Sequence, residues 1–173
     1  SGDAEVPTGT ELYFSAIDVE NVFYQHKLPK WLSEYFSLPP ITAGDLNICE
    51  FEGAAISADT ILYPQAAVAP MGWSWGLHLV QSAHEKVIAD ALACTGARQA
   101  VDFAPIPRSW DKGVYTVYVD NVVVESSSPS TTADLIVRVK NALVKDGLTC
   151  HKAELVTADL EALGGAQDWK PSY

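Results

Sequence analysis

Residues 114–125 read Val114-Tyr115-Thr116-Val117-Tyr118-Val119-Asp120-Asn121-Val122-Val123-Val124-Glu125. Two β-branched, aromatic-rich runs, Val114 to Asp120 and Val122 to Glu125, are split at Asp120 and Asn121, the pattern of a β-hairpin. Downstream, Ser126 to Thr132 reads as a linker leading into Ala133 to Lys145, where Leu135, Ile136, Val139 and Leu143 recur at helical spacing. Thr131 or Thr132 is the expected helix cap. Gly147 ends that helix, and Leu148 to Val156 returns as a strand.

Upstream, Leu77, Val80, His84, Val87, Ile88 and Ala91 mark one face of a helix from about Ser74 to Ala93. Arg98 to Gly113, with Pro105 and Pro107, reads as a connecting loop. Leu12 to Ile17 is a buried strand ending at Asp18, and Val19 to His26 is a turn or short helix. Trp31 to Leu38 suits helix or strand equally. Thr42 to Asp59 reads as a surface loop with a short hairpin strand around Ile48 to Glu52, and Ile61 to Tyr63 as a strand. The order strand, turn, hairpin, helix, hairpin, helix, strand predicts an α+β fold: an antiparallel sheet with two main helices packed on one face.

The 173 residues suffice for one ordinary domain, and 48 % apolar against 19 % charged residues is a globular balance. Twenty-two acidic and 11 basic side chains give a formal charge of -11, which repels nucleic acid and argues against autonomous binding to it. Cys49, Cys94 and Cys150 are odd in number and far apart, so neither a disulfide framework nor a paired-cysteine zinc site is expected. A reducing, intracellular compartment follows, cytoplasmic or nuclear. No run approaches the roughly 20 apolar residues of a membrane span, so no membrane partner is expected.

Asp18 and Asp120 each end an apolar strand, where a carboxylate is costly to desolvate unless a cation or donor meets it. Two such groups on adjacent strands suit Mg²⁺ or Mn²⁺, hard cations that take carboxylate oxygens and leave coordination positions for a phosphate substrate. Other signals fail on spacing. His84-Glu85 opens like a zinc-protease helix, but Ile88 stands where the second histidine belongs.

Four segments taken in order carry a resemblance. Asp18-Val19-Glu20-Asn21-Val22-Phe23-Tyr24-Gln25, then Leu28-Pro29, resembles the first palm motif of retroelement reverse transcriptases. Val68-Ala69-Pro70-Met71-Gly72-Trp73, then Gln81, resembles the second, and Tyr118-Val119-Asp120-Asn121 with its apolar tail resembles the third, the Tyr-x-Asp-Asp hairpin. Leu143 to Leu155 is similar to the helix-Gly-Leu-strand segment that follows. Together they span roughly Leu12 to Leu155.

The resemblance implies a polymerase-palm-like α+β fold, with residues 1–156 as the palm core, a remnant of the fingers at 31–66, and a tail at 157–173. It implies template-directed nucleotidyl transfer by an RNA-directed DNA polymerase using two Mg²⁺ or Mn²⁺ ions, with Asp18 and Asp120 as metal ligands and Asp18, Asp120 and Asn121 at the catalytic positions. Phe23 takes the place of the aromatic that screens against a 2′-hydroxyl. Met71 and Gly72 take the turn facing nucleotide and template, Tyr118 lies beside the primer end, and Lys152 matches a basic position near the phosphates. Asn121 departs from the family's second Asp and removes one negative charge. Only seventeen residues precede Asp18, none of them Lys or Arg, and 157–173 is too short for a thumb. Primer, template and dNTP are therefore expected as partners only within a larger protein, and the isolated chain is not expected to be active. The alternative is a decayed palm scaffold that binds a protein partner.

Overall fold

The structure, a computed structural model, describes residues 10–101 and 110–151. The chain divides into two compact units, one formed by Ser1–Val22 with Leu77–Tyr173 and the other by Phe23–Gly76. The span 31–66 lies inside the second. The architecture is α+β with a mostly antiparallel main sheet.

The elements in chain order are β1 (Tyr13–Asp18), α1 (Val22–Gln25), α2 (Lys30–Ser33), β2 (Ile41–Thr42), β3 (Glu50–Phe51), β4 (Ala54–Ala55), β5 (Ile61–Leu62), α3 (Ser74–Leu92), β6 (Arg98–Gln99), β7 (Val114–Tyr118), β8 (Asn121–Ser126) and α4 (Pro129–Lys145). The first unit holds a four-stranded sheet in the order β1-β8-β7-β6. β8 pairs antiparallel with both β1 and β7, and β6 adds in parallel along Arg98–Gln99, inside the segment expected to be loop. Two residues of backbone pairing carry little sequence signal, so β6 was invisible to periodicity.

Side chains paired across antiparallel strands share a face. Ser15, Val124 and Tyr115 form one row and Ile17, Val122 and Val117 the next, all buried. α4 packs on β1 and β8 at this face through Leu135, Ile136, Val139 and Leu143, each at most 5 % exposed. Burying four such side chains contributes about 1.5–3 kcal/mol apiece before entropy is counted. Fully buried Thr132 joins the layers, its Oγ1 2.8 Å from Ser126 Oγ and 3.1 Å from the Tyr13 carbonyl. α3 and α4 line one cleft through Val87, Asp90 and Ala91 with Ala142 and Lys145, and just past α3 Cys94 Sγ is 3.9 Å from Arg138 Nη1.

Three local expectations change. α4 begins at Pro129, with Ser128 accepting the Thr131 N–H at 3.4 Å, so neither Thr131 nor Thr132 is the cap. Proline suits the first helical position because its missing N–H would have no partner there anyway. Tyr118 pairs with Asn121, so the hairpin loop is Val119–Asp120 rather than Asp120–Asn121. Of the expected strand Leu148 to Val156, Cys150 bridges Val19, and residues from 152 onward lie outside the described residues.

In the second unit β2 pairs with β5 and β3 with β4. The β3–β4 loop is Glu52–Gly53, both at positive φ, the type I′ pattern in which glycine avoids the Cβ clash. Phe36 and Trp73 meet edge to face, with centroids 5.0 Å apart. Trp31, Tyr35, Tyr63 and Met71 are exposed. Among the described residues no helix is long and apolar enough to cross a membrane.

Candidate functional site

At one end of the main sheet Asp18 closes β1 directly opposite Asn121, which opens β8 and pairs in turn with Tyr118 at the end of β7. These three residues form one cross-strand row, on the face that α4 does not cover. Asp120 sits in the adjoining turn, and its carbonyl accepts the Val19 N–H at 2.9 Å, tying the end of β1 to the hairpin. Asn121 Nδ2 donates to Asp120 Oδ1 at 3.3 Å. Asn121 has φ 43, a left-handed conformation that Asn tolerates better than most residues. The same residue that lowers the charge of the motif thus suits the backbone it occupies.

Asp18 is half-buried, and its Oδ1 is buried with no hydrogen-bond partner among the described residues. Oδ2 is 3.6 Å from His151 Nε2, and His151 Nδ1 is 3.4 Å from Glu20 Oε1. The His151 N–H donates to the Asp18 carbonyl at 2.9 Å, and the Glu20 N–H to that of Thr149 at 3.0 Å, so the segment after α4 meets the chain where β1 ends. Burial pushes the Asp18 carboxyl above its ordinary range. The negative charge of Asp120 adds to that, His151 opposes it, and Glu20 raises it further. Asp120 therefore stands close enough for its charge to act on Asp18.

A buried carboxylate oxygen without a donor, under the negative charge of a second carboxylate, is an arrangement a cation relieves. Mg²⁺ commonly takes one or two protein carboxylates and completes its octahedron with water and substrate phosphate, so Asp18 and Asp120 are the side chains that could hold such an ion. Among the described residues no group of three or more His, Cys, Asp and Glu side chains is placed to hold a metal by protein ligands alone.

The turn that carries Asp120 is unusual. Val119, its first residue, has φ 53 and is 6 % exposed, whereas this position of a type II′ turn normally takes glycine. β-branched side chains are disfavoured at positive φ. α3 supplies the compensation: Gln81 Oε1 accepts the Val119 N–H at 2.6 Å, and His84 Nδ1 lies 2.5 Å from the Val119 carbonyl. Gln81 Nε2 donates to the Val117 carbonyl at 2.9 Å and to Glu85 Oε1 at 2.8 Å, and Glu85 Oε1 also accepts from Gln99 Nε2 at 3.0 Å. Because a carbonyl only accepts, His84 donates through Nδ1. Burial also lowers its pKa and favours the neutral ring.

Phe23, Met71 and Gly72 belong to the second unit. Phe23 is half-buried in α1. Met71 is exposed, and Gly72 has φ 87 in a turn where the Trp73 N–H reaches the Pro70 carbonyl at 3.3 Å. Lys152 lies outside the described residues. The sequence reading missed Glu20 and His151 as site residues, took Gln81 as part of the second motif's resemblance, and took His84 as a helix-face residue. Two polar side chains three apart on an otherwise apolar stripe were the signal available. Among known proteins, no family model matches the chain and no curated protein matches it.

Proposed function

We propose that the chain is the palm core of a reverse-transcriptase-type, RNA-directed DNA polymerase, working within a larger protein. The observation that carries this reading is the meeting of Asp18 with the Asp120 turn at one end of the sheet, with Asp18 Oδ1 left without a donor. Two Mg²⁺ or Mn²⁺ ions, held by Asp18 and Asp120, would supply activation of the primer 3′-hydroxyl and neutralisation of charge at the transferring phosphate. The chain's own part is to hold those ions with Asp18 and Asp120 on the uncovered face, and to steady Asp120 through the Asn121 amide. Tyr118, 55 % exposed in the same row, would pack beside a primer end on this reading. By the same resemblance Phe23, Met71, Gly72 and Lys152 contact the nucleotide. Primer, template and dNTP would be held in the larger assembly, because a chain of charge -11 does not attract them unaided. Such a substrate places the protein in the cytoplasm or nucleus.

Mn²⁺ binding followed by electron paramagnetic resonance tests the reading. Asp18→Asn and Asp120→Asn are each expected to weaken binding at least about tenfold. Parental affinity in both variants would remove the catalytic proposal.

A second reading, a decayed palm scaffold serving as a protein-interaction domain, is favoured by Asn121 and by the exposed Trp31, Tyr35 and Tyr63. It predicts a stable partner retained on the immobilised chain with or without chelator.

A further inference from the structure

We propose that His84, together with Gln81, is a positioning residue for Asp120, acting through the backbone of Val119. The inference rests on the metal-binding reading above and adds to it a role for α3, whose His84-Glu85 pair has no zinc-ligand spacing. A valine at φ 53 is held in a conformation it does not favour, and it lies next to the carboxylate that the chemistry needs. Left to itself, this turn would relax toward negative φ at residue 119 and rotate the following peptide, which carries Asp120. Two groups from one rigid helix oppose this. Gln81 takes the Val119 N–H and His84 the Val119 carbonyl, so both polar groups of the strained residue are fixed from the same side.

The clasp is itself oriented. Glu85 Oε1 and the Val117 carbonyl are acceptors for Gln81 Nε2, which turns Gln81 Oε1 toward Val119. His84 is 1 % exposed, so water cannot easily replace its bond to the carbonyl. A histidine buried at this depth on a face otherwise made of Val80 and Ile88 has a polar duty, and the duty visible is the carbonyl of Val119.

The test uses the whole chain and Mn²⁺ alone, with affinity read by electron paramagnetic resonance and the unfolding midpoint by thermal denaturation. His84→Leu keeps the volume and deletes the donor, and it is expected to weaken Mn²⁺ about tenfold or more, in the manner of groups that orient a metal ligand. His84→Asn, whose amide can donate from nearly the position of Nδ1, is expected to recover most of that loss. Gln81→Met should weaken binding in the same direction, and it carries the test if His84→Leu does not fold. Adding Val119→Gly to either variant should restore affinity, since glycine needs no clasp at positive φ. Parental affinity in His84→Leu, or in Gln81→Met if that variant stands in, overturns the proposal when Asp18→Asn has lost binding. Parental affinity in Asp18→Asn instead overturns the metal reading and the clasp's role with it. A loss that neither His84→Asn nor Val119→Gly repairs assigns the histidine to core stability alone and also overturns the proposal.

Discussion

Asp18 and Asn121 stand directly opposite each other across β1 and β8, and this pairing sets Asp18 beside the turn that holds Asp120. The result is a local excess of negative charge at the end of a well-packed sheet. Such an arrangement costs stability when no cation is present, and the cost is measurable.

For Asp18 the folded-state pKa lies above the ordinary value, so the stability its neutral form provides is present at low pH and lost as pH rises. At pH 7 in chelator, Asp18→Asn is therefore expected to raise the thermal midpoint, while at pH 3 the two proteins should unfold together. A midpoint lowered at pH 7 would show that the contact with His151 outweighs burial and repulsion. Greater stability without metal combined with weaker Mn²⁺ binding is the signature of a functional carboxylate.

Asn121→Asp adds a second carboxylate to the turn at a φ of 43, which Asp also tolerates. Mn²⁺ affinity should rise on the order of tenfold, because ligand charge sets cation affinity. Calorimetric titration checks this. Unchanged affinity would place the residue 121 side chain outside the ion's reach.

Glu125 lies in the cross-strand row with Phe14 and Val114, half-buried, and burial pushes its carboxyl from 4.5 up to about 7. The folded state holds that proton more tightly than the unfolded chain does, so this group's contribution falls between pH 4.5 and 7 and is flat above. Glu125→Gln should leave stability near parental at pH 4.5 and raise it at pH 8 by up to about 3 kcal/mol. Urea denaturation at the two pH values reads the difference.

Gly113 has φ 87, and a Cβ there would collide with Leu135 Cδ1. Leu135 is 1 % exposed and cannot move aside without opening the seat of α4. Gly113→Ala should cost about 2–4 kcal/mol, combining left-handed strain with overpacking. Gly113→Ala with Leu135→Ala should recover part of the steric share, which a double-mutant cycle in urea would isolate.

Much of the main sheet's unit was legible because its signals are local and periodic. The β-branched alternation of 114–125, the apolar stripes of α3 and α4, and the strand ending at Asp18 are patterns that burial on one face imposes on the sequence. The same patterns mark Asp18 and Asp120 as carboxylates that follow apolar runs, which makes them candidates from the sequence. What periodicity could not decide was register. Tyr118 pairs with Asn121, which shifts the hairpin loop by one residue onto Val119, where Gln81 and His84 reach across from another element to meet a valine in a position turn chemistry gives to glycine. A sequence window records propensity and burial, but a strained residue is chosen by its partners, and those lie 38 and 35 positions away along the chain. The nearness of Asp18, Asp120 and His151 has the same character: it depends on β1 pairing with β8 and on the segment after α4 bridging Val19, contacts between distant parts of the chain that only the folded backbone brings together.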